Sequence, residues 1–177
     1  RWAKTLAFLA AHDLECLVTV GNKGRGRYDA YLSTVHLEGA TIFPAQGAPI
    51  FVTLNYKMIS RSLATNLDPD MFWSKDKRSG PYGPTIVAAL EQLGLAQGNI
   101  GVVGLDAKEA GQVEGIVSYN TWKHILDGLP QATFLDVTTG YGRVMMVRSA
   151  EALACVRRSA EIGEMACQAM LDTARVG

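Results

Sequence analysis

Residues 14–20 form an apolar run broken only by Glu15 and Thr19 and closed by Gly21-Asn22, and residues 100–105 form a second run of the same kind. A strand that is apolar at successive rather than alternate positions has both faces buried, so helices must cover it above and below. The apolar runs at 39–43 and 49–54 are joined by Pro44-Ala45-Gln46-Gly47-Ala48. Gly and Pro in a short gap between two such runs predict a β-hairpin. Residues 133–137 supply a further strand, and 28–33 also read as a strand. With helical segments alternating between the later strands, the expected class is α/β: three α/β/α layers around a mixed sheet.

The helices follow from periodicity. Residues 2–12 place Trp2, Leu6 and Leu9 on one face, and residues 56–64 have helical spacing. Ile86, Leu90 and Leu93 mark a helix stopped by Gly94. Trp122, Ile125, Leu126 and Leu129 mark another, with Ser118 as N-cap and Pro130 as terminator. Residues 138–147 read as a short helix, and Ser149 caps a long one over 150–175. Periodicity vanishes over 67–84, where Pro69, Gly80, Pro81, Gly83 and Pro84 crowd together, which predicts a long surface loop.

A chain of 177 residues is one domain, or one with an appended piece, and 48% hydrophobic against 19% charged residues is enough for a full core. Seventeen basic and seventeen acidic residues balance to zero. Such a chain has no bulk attraction to phosphate backbones or anionic membranes, so neither nucleic acid nor a membrane is an expected partner. No uncharged stretch approaches the roughly 18 residues of a spanning helix. The opening residues carry Arg1 and Lys4 and no signal-cleavage pattern. The first residue is not Met, so the expectation is a piece cut from a longer protein or a chain whose leading residues are not included. Three cysteines, Cys16, Cys155 and Cys167, are an odd number with no CxxC spacing. Cys155 and Cys167 share a helix and stand about 18 Å apart along it, beyond disulfide reach. A reducing, cytoplasmic setting fits this usage.

Chemistry-bearing motifs are sparse. Gly21, Gly24 and Gly26 follow the first strand with Lys23, Arg25 and Arg27 among them, but match neither GxGxxG nor GxxxxGK[ST]. This is a solvated basic turn. Gly101, Gly104 and Gly111 are likewise off register for a dinucleotide fingerprint. His12, His36 and His124 belong to no HExxH or HxH pattern, and His36 with Glu38 makes two ligands without a third. His12 sits at a helix end, where it offsets the dipole. Cys16 lies inside a buried strand, where a thiol is inert packing. No serine stands in a GxSxG elbow. The residues alone describe an α/β domain with no catalytic residue and no metal site.

A set of short matches adds a resemblance. Leu129-Pro130, Phe134-Leu135-Asp136, Val147-Arg148-Ser149, Glu151 and the run 156–162 lead to Ala169-Met170-Leu171 and Gly177. This order resembles the junction in creatinase and prolidase-type metallopeptidases. There, an "LP…lvD" strand and an "lR-x-I-K-S" segment enter a helix of the form "E-E-i-x-l-m-r-x-A". Residues 1–20 resemble the family's opening "R…l…m…gld-a-l-l-v". Tyr31-Leu32-Ser33 resembles its "Y-L-T-G", and 44–49 resembles its "P-a-d-G-x-P" hairpin. The resemblance covers essentially the whole chain, with Thr34, Met145, Arg148 and Ala150 departing from the pattern.

The resemblance implies a ribonuclease H-like N-terminal domain over 1–148, with 149–177 as the first helix of a following pita-bread catalytic domain. In that family the catalytic domain holds two divalent ions (Mn, Co or Zn) on two Asp, one His and two Glu, and none of those ligand positions falls within this chain. The implied function is that of the non-catalytic domain of an Xaa-Pro dipeptidase or aminopeptidase, giving dimer contacts and guarding the active-site mouth. The alternatives are a protein-interaction module from a pita-bread protein without its metal site, or a creatinase-like amidinohydrolase domain. Tyr31, His36 and Trp73 are the candidates for the access role. The helix over 150–175 is apolar around about half its circumference, more than a single buried face requires. Ile162, Met170 and Leu171 on that helix are therefore candidate partner contacts, toward the chain's own catalytic domain or a second copy in a homodimer.

Overall fold

The computed structural model describes residues 1–21, 28–33, 38–54, 73–106 and 115–174. The elements run α1 (Trp2–Ala11), β1 (Cys16–Val20), α2 (Tyr28–Ser33), β2 (Ala40–Pro44), β3 (Ile50–Thr53) and β4 (Asp76–Ser79). They continue with α3 (Tyr82–Gln92), β5 (Asn99–Val103), α4 (Tyr119–Gly128), β6 (Thr133–Asp136), α5 (Thr138–Met146) and α6 (Ala150–Thr173). Residues 1–144 form one compact unit and 145–177 another.

The six strands make one sheet in the order β4-β3-β2-β1-β5-β6. β1, β2 and β3 are antiparallel neighbours, whereas β3–β4, β1–β5 and β5–β6 are parallel. The sheet is therefore mixed, as the sequence predicts. The predicted hairpin is present, with Ile42 facing Ile50 and Ala40 facing Val52. Every residue of β1, β2 and β3 is buried. Cys16, Val18, Val20, Ile42, Ile50, Val52, Ile100 and Val102 join Ile86, Ala89 and Leu90 of α3 and Ile125 of α4 in one apolar cluster. The alternate positions face the other way. An added Cβ at Gly101 would meet Leu14, Leu17 and Val137, Phe43 meets the ring of Trp2, and Thr41 bonds to α2. Helices thus cover both faces.

Three local expectations are corrected. Residues 28–33 are a helix rather than a strand: Asp29, Leu32 and Ser33 are its buried residues, an i, i+3, i+4 stripe. Two of the three are polar, and that hid the period. Ser33 Oγ donates to the Asp29 carbonyl at 2.9 Å, and Thr41 Oγ1 donates to the same oxygen at 3.1 Å. Within the predicted loop over 67–84, Asp76–Ser79 forms an edge strand and Tyr82 opens α3. Asp-Lys-Arg-Ser carries no apolar alternation, so this strand is held by its ladder to β3, with Arg78 and Asp76 paired at 2.8 Å within the strand itself. Charged residues at a sheet edge also discourage pairing with a foreign strand. On α1 the buried stripe is Thr5, Phe8 and Leu9, while Leu6 is 42% exposed. The expected helix over 56–64 lies outside the described residues.

Helix ends follow local chemistry. After α1, Leu14 N–H donates to Leu9 O and Asp13 N–H to Ala10 O, with Asp13 at φ 53°. After α3, Leu95 N–H donates to Leu90 O and Gly94 N–H to Glu91 O, with Gly94 at φ 76°. Both are Schellman ends, one built on the glycine the motif favours and one on aspartate. Ser118 and Ser149 accept the N-cap bonds of α4 and α5's successor α6 from Thr121 N–H and Ala152 N–H. α6 is 24 residues long and none of them is buried.

Candidate functional site

The start of α1, the end of α2 and the segment before β4 converge on one surface. Trp2 Nε1–H donates to the Leu32 carbonyl at the end of α2, at 2.9 Å. Its ring meets Phe43 edge-on at 5.7 Å and Trp73 edge-on at 6.1 Å. The buried Ser74 hydroxyl lies 2.8 Å from the Pro49 carbonyl oxygen and 2.9 Å from that of Asp76, which fastens the Trp73 segment to the hairpin. The Arg1 guanidinium carbon stands 5.2 Å from the Tyr31 ring centre and 5.3 Å from that of Trp73. Such contacts draw on the negative ring face. Arg1, Trp2, Ala3 and Trp73 line an open cavity of about 350 Å³.

Beneath this surface lies a buried polar layer. Tyr141 and Thr5, both fully buried, are hydrogen-bonded at 2.8 Å. Tyr141 also packs edge-on against Phe8 and Tyr31. Burial pushes the Tyr141 phenol well above its usual range, with the Thr5 bond opposing and Tyr31 adding slightly. The Asp29 side chain is fully buried and occupies the space a side chain at Gly21 would fill, its Oδ1 standing 1.7 Å from where that Cβ would be. Glycine is required at 21 by this close approach. At the far end of the sheet, Thr138 Oγ1 donates to Asp136 Oδ1 at 2.5 Å and accepts from Gly104 N–H at 2.9 Å, joining the ends of β5 and β6.

Two of the three access candidates, Tyr31 and Trp73, are therefore brought together around Arg1, with Trp73 37% exposed. His36 and the basic turn over 22–27 lie outside the described residues. His12 Nδ1 lies 2.9 Å from Phe8 O in the last turn of α1, consistent with a helix-end role. Burial pushes the Cys16 thiol far up, which makes it unreactive. Ile162, Met170 and Leu171 are exposed on α6, the last two at 71% and 70%. Among the described residues, no three His, Cys, Asp or Glu side chains come together as metal ligands, and no helix is long and apolar enough to cross a membrane. Neither Arg1 nor the Trp2 contacts with Leu32 and Trp73 is signalled by the sequence pattern. Their contacts reach about 30 and about 70 residues along the chain, and no local pattern signals them.

No protein-family model matches the sequence, and no curated protein matches it. Solved structures do. The X-Pro aminopeptidase of Thermotoga maritima MSB8 superposes on all of this chain with a TM-score of 0.75 at 11% identity. This chain spans 44% of that one. A dipeptidase of Pyrococcus horikoshii OT3 matches 99% of the chain with a TM-score of 0.62 at 15% identity, over 45% of its own length. The N-terminal domain of the cytoplasmic peptidase PepQ from Mycobacterium tuberculosis H37Rv matches 77% of the chain, and 92% of its own, with a TM-score of 0.52 at 15% identity. At these identities the likeness establishes the fold: the α/β unit found in X-Pro aminopeptidase and dipeptidase structures, as the resemblance implied.

Proposed function

We propose that this chain is the non-catalytic N-terminal domain of a metal-dependent Xaa-Pro dipeptidase or aminopeptidase-like hydrolase, with α6 as the first helix of the catalytic domain. The observation that carries the reading is the structural match over the whole chain to an X-Pro aminopeptidase more than twice as long. In this reading the metal pair belongs to the catalytic domain. The described residues of this chain present no cluster that fits it. The domain serves dimer contact and access to the active-site mouth, and the surface of Arg1, Tyr31 and Trp73 is the part assigned to access. The exposed apolar side chains of α6, Ile162, Met170 and Leu171 among them, are assigned to the catalytic domain or to a second copy.

The test is hydrolysis of Xaa-Pro dipeptides by the product of the full gene and by the 177-residue chain, each with added Mn²⁺, Co²⁺ or Zn²⁺. Metal-dependent turnover by the former and none by the latter is expected, together with a dimeric mass by light scattering. Turnover that tracks the repurified 177-residue chain would overturn the assignment. A full-length protein that stays inactive with all three metals would do so too, and would favour an interaction module.

A further inference from the structure

We draw no further inference here: the strongest candidate, the β6 edge of the sheet, where the exposed Leu135 borders a hollow of about 230 Å³ between the end of α1 and the starts of β5 and β6, carries nothing because nothing in the structure shows what covers it.

Discussion

The Thr5–Tyr141 pair allows the direction of a buried hydrogen bond to be tested by stability alone. Thr5 Oγ1 lies 3.2 Å from the Arg1 carbonyl oxygen and 2.8 Å from Tyr141 Oη. The carbonyl can only accept, so the single Thr5 hydroxyl proton goes to Arg1 O and Tyr141 donates to Thr5. The two deletions are therefore unequal. Tyr141→Phe removes a donor and leaves the Thr5 hydroxyl still bonded to Arg1 O, so the loss is one net hydrogen bond, about 1 kcal/mol. Thr5→Val keeps the shape but strands a fully buried phenol without an acceptor, a penalty of about 1–3 kcal/mol. In the double variant nothing is stranded, so its loss should fall below the sum and close to that of Tyr141→Phe. Urea unfolding followed by tryptophan fluorescence is the assay, since Trp2, Trp73 and Trp122 all lie in the unit over 1–144. Equal m-values are the check on comparability. Additive losses, or a larger loss for Tyr141→Phe than for Thr5→Val, would refute the assigned direction.

Two further outcomes follow from the buried groups. Thr19 Oγ1 is buried with no hydrogen-bond partner among the described residues, so Thr19→Val should raise stability by up to about 1 kcal/mol in the same unfolding assay. Burial raises the Cys16 thiol and the Tyr141 phenol above their unfolded values, so the unfolded chain releases these protons first. Stability from both is fully present below the unfolded pKa values and should fall as pH rises, from about pH 9 for Cys16 and about pH 10 for Tyr141, by about 1.4 kcal/mol per pH unit per group. Urea midpoints between pH 8 and 11 measure this, and Cys16→Ala should flatten the first part of the decline.

The centre of the sheet was legible because β1 and β5 are buried on both sides, and burial on both sides writes an unbroken apolar run. The hairpin was legible from Pro44, Gly47 and Pro49, and α3, α4 and α6 from a period of 3.6 with a cap at one end. What stayed hidden was whatever tertiary contact made tolerable. α2 buries Asp29 and Ser33, the Ser33 hydroxyl being satisfied by the Asp29 main-chain carbonyl, so its stripe does not look apolar. β4 is charged because it lies at an edge, where the ladder rather than burial holds it. Of the candidate site, Tyr31 and Trp73 came from the resemblance. Arg1 and Trp2 acquired their place only when three distant segments met, and neither composition nor spacing records such a meeting.

The register of β1 has a consequence for synthesis. On one side it pairs with β2 soon after in the chain, but on the other Cys16 pairs with Ile100. At ribosomal speeds of about 5–20 residues per second, that second partner emerges on the order of ten seconds after the first strand. Throughout that interval a five-residue apolar strand has one edge open. A nascent chain on a neighbouring ribosome carries the same edge, so crowding along a polysome, more than heat or denaturant, is the condition under which this fold is most exposed to pairing with the wrong molecule.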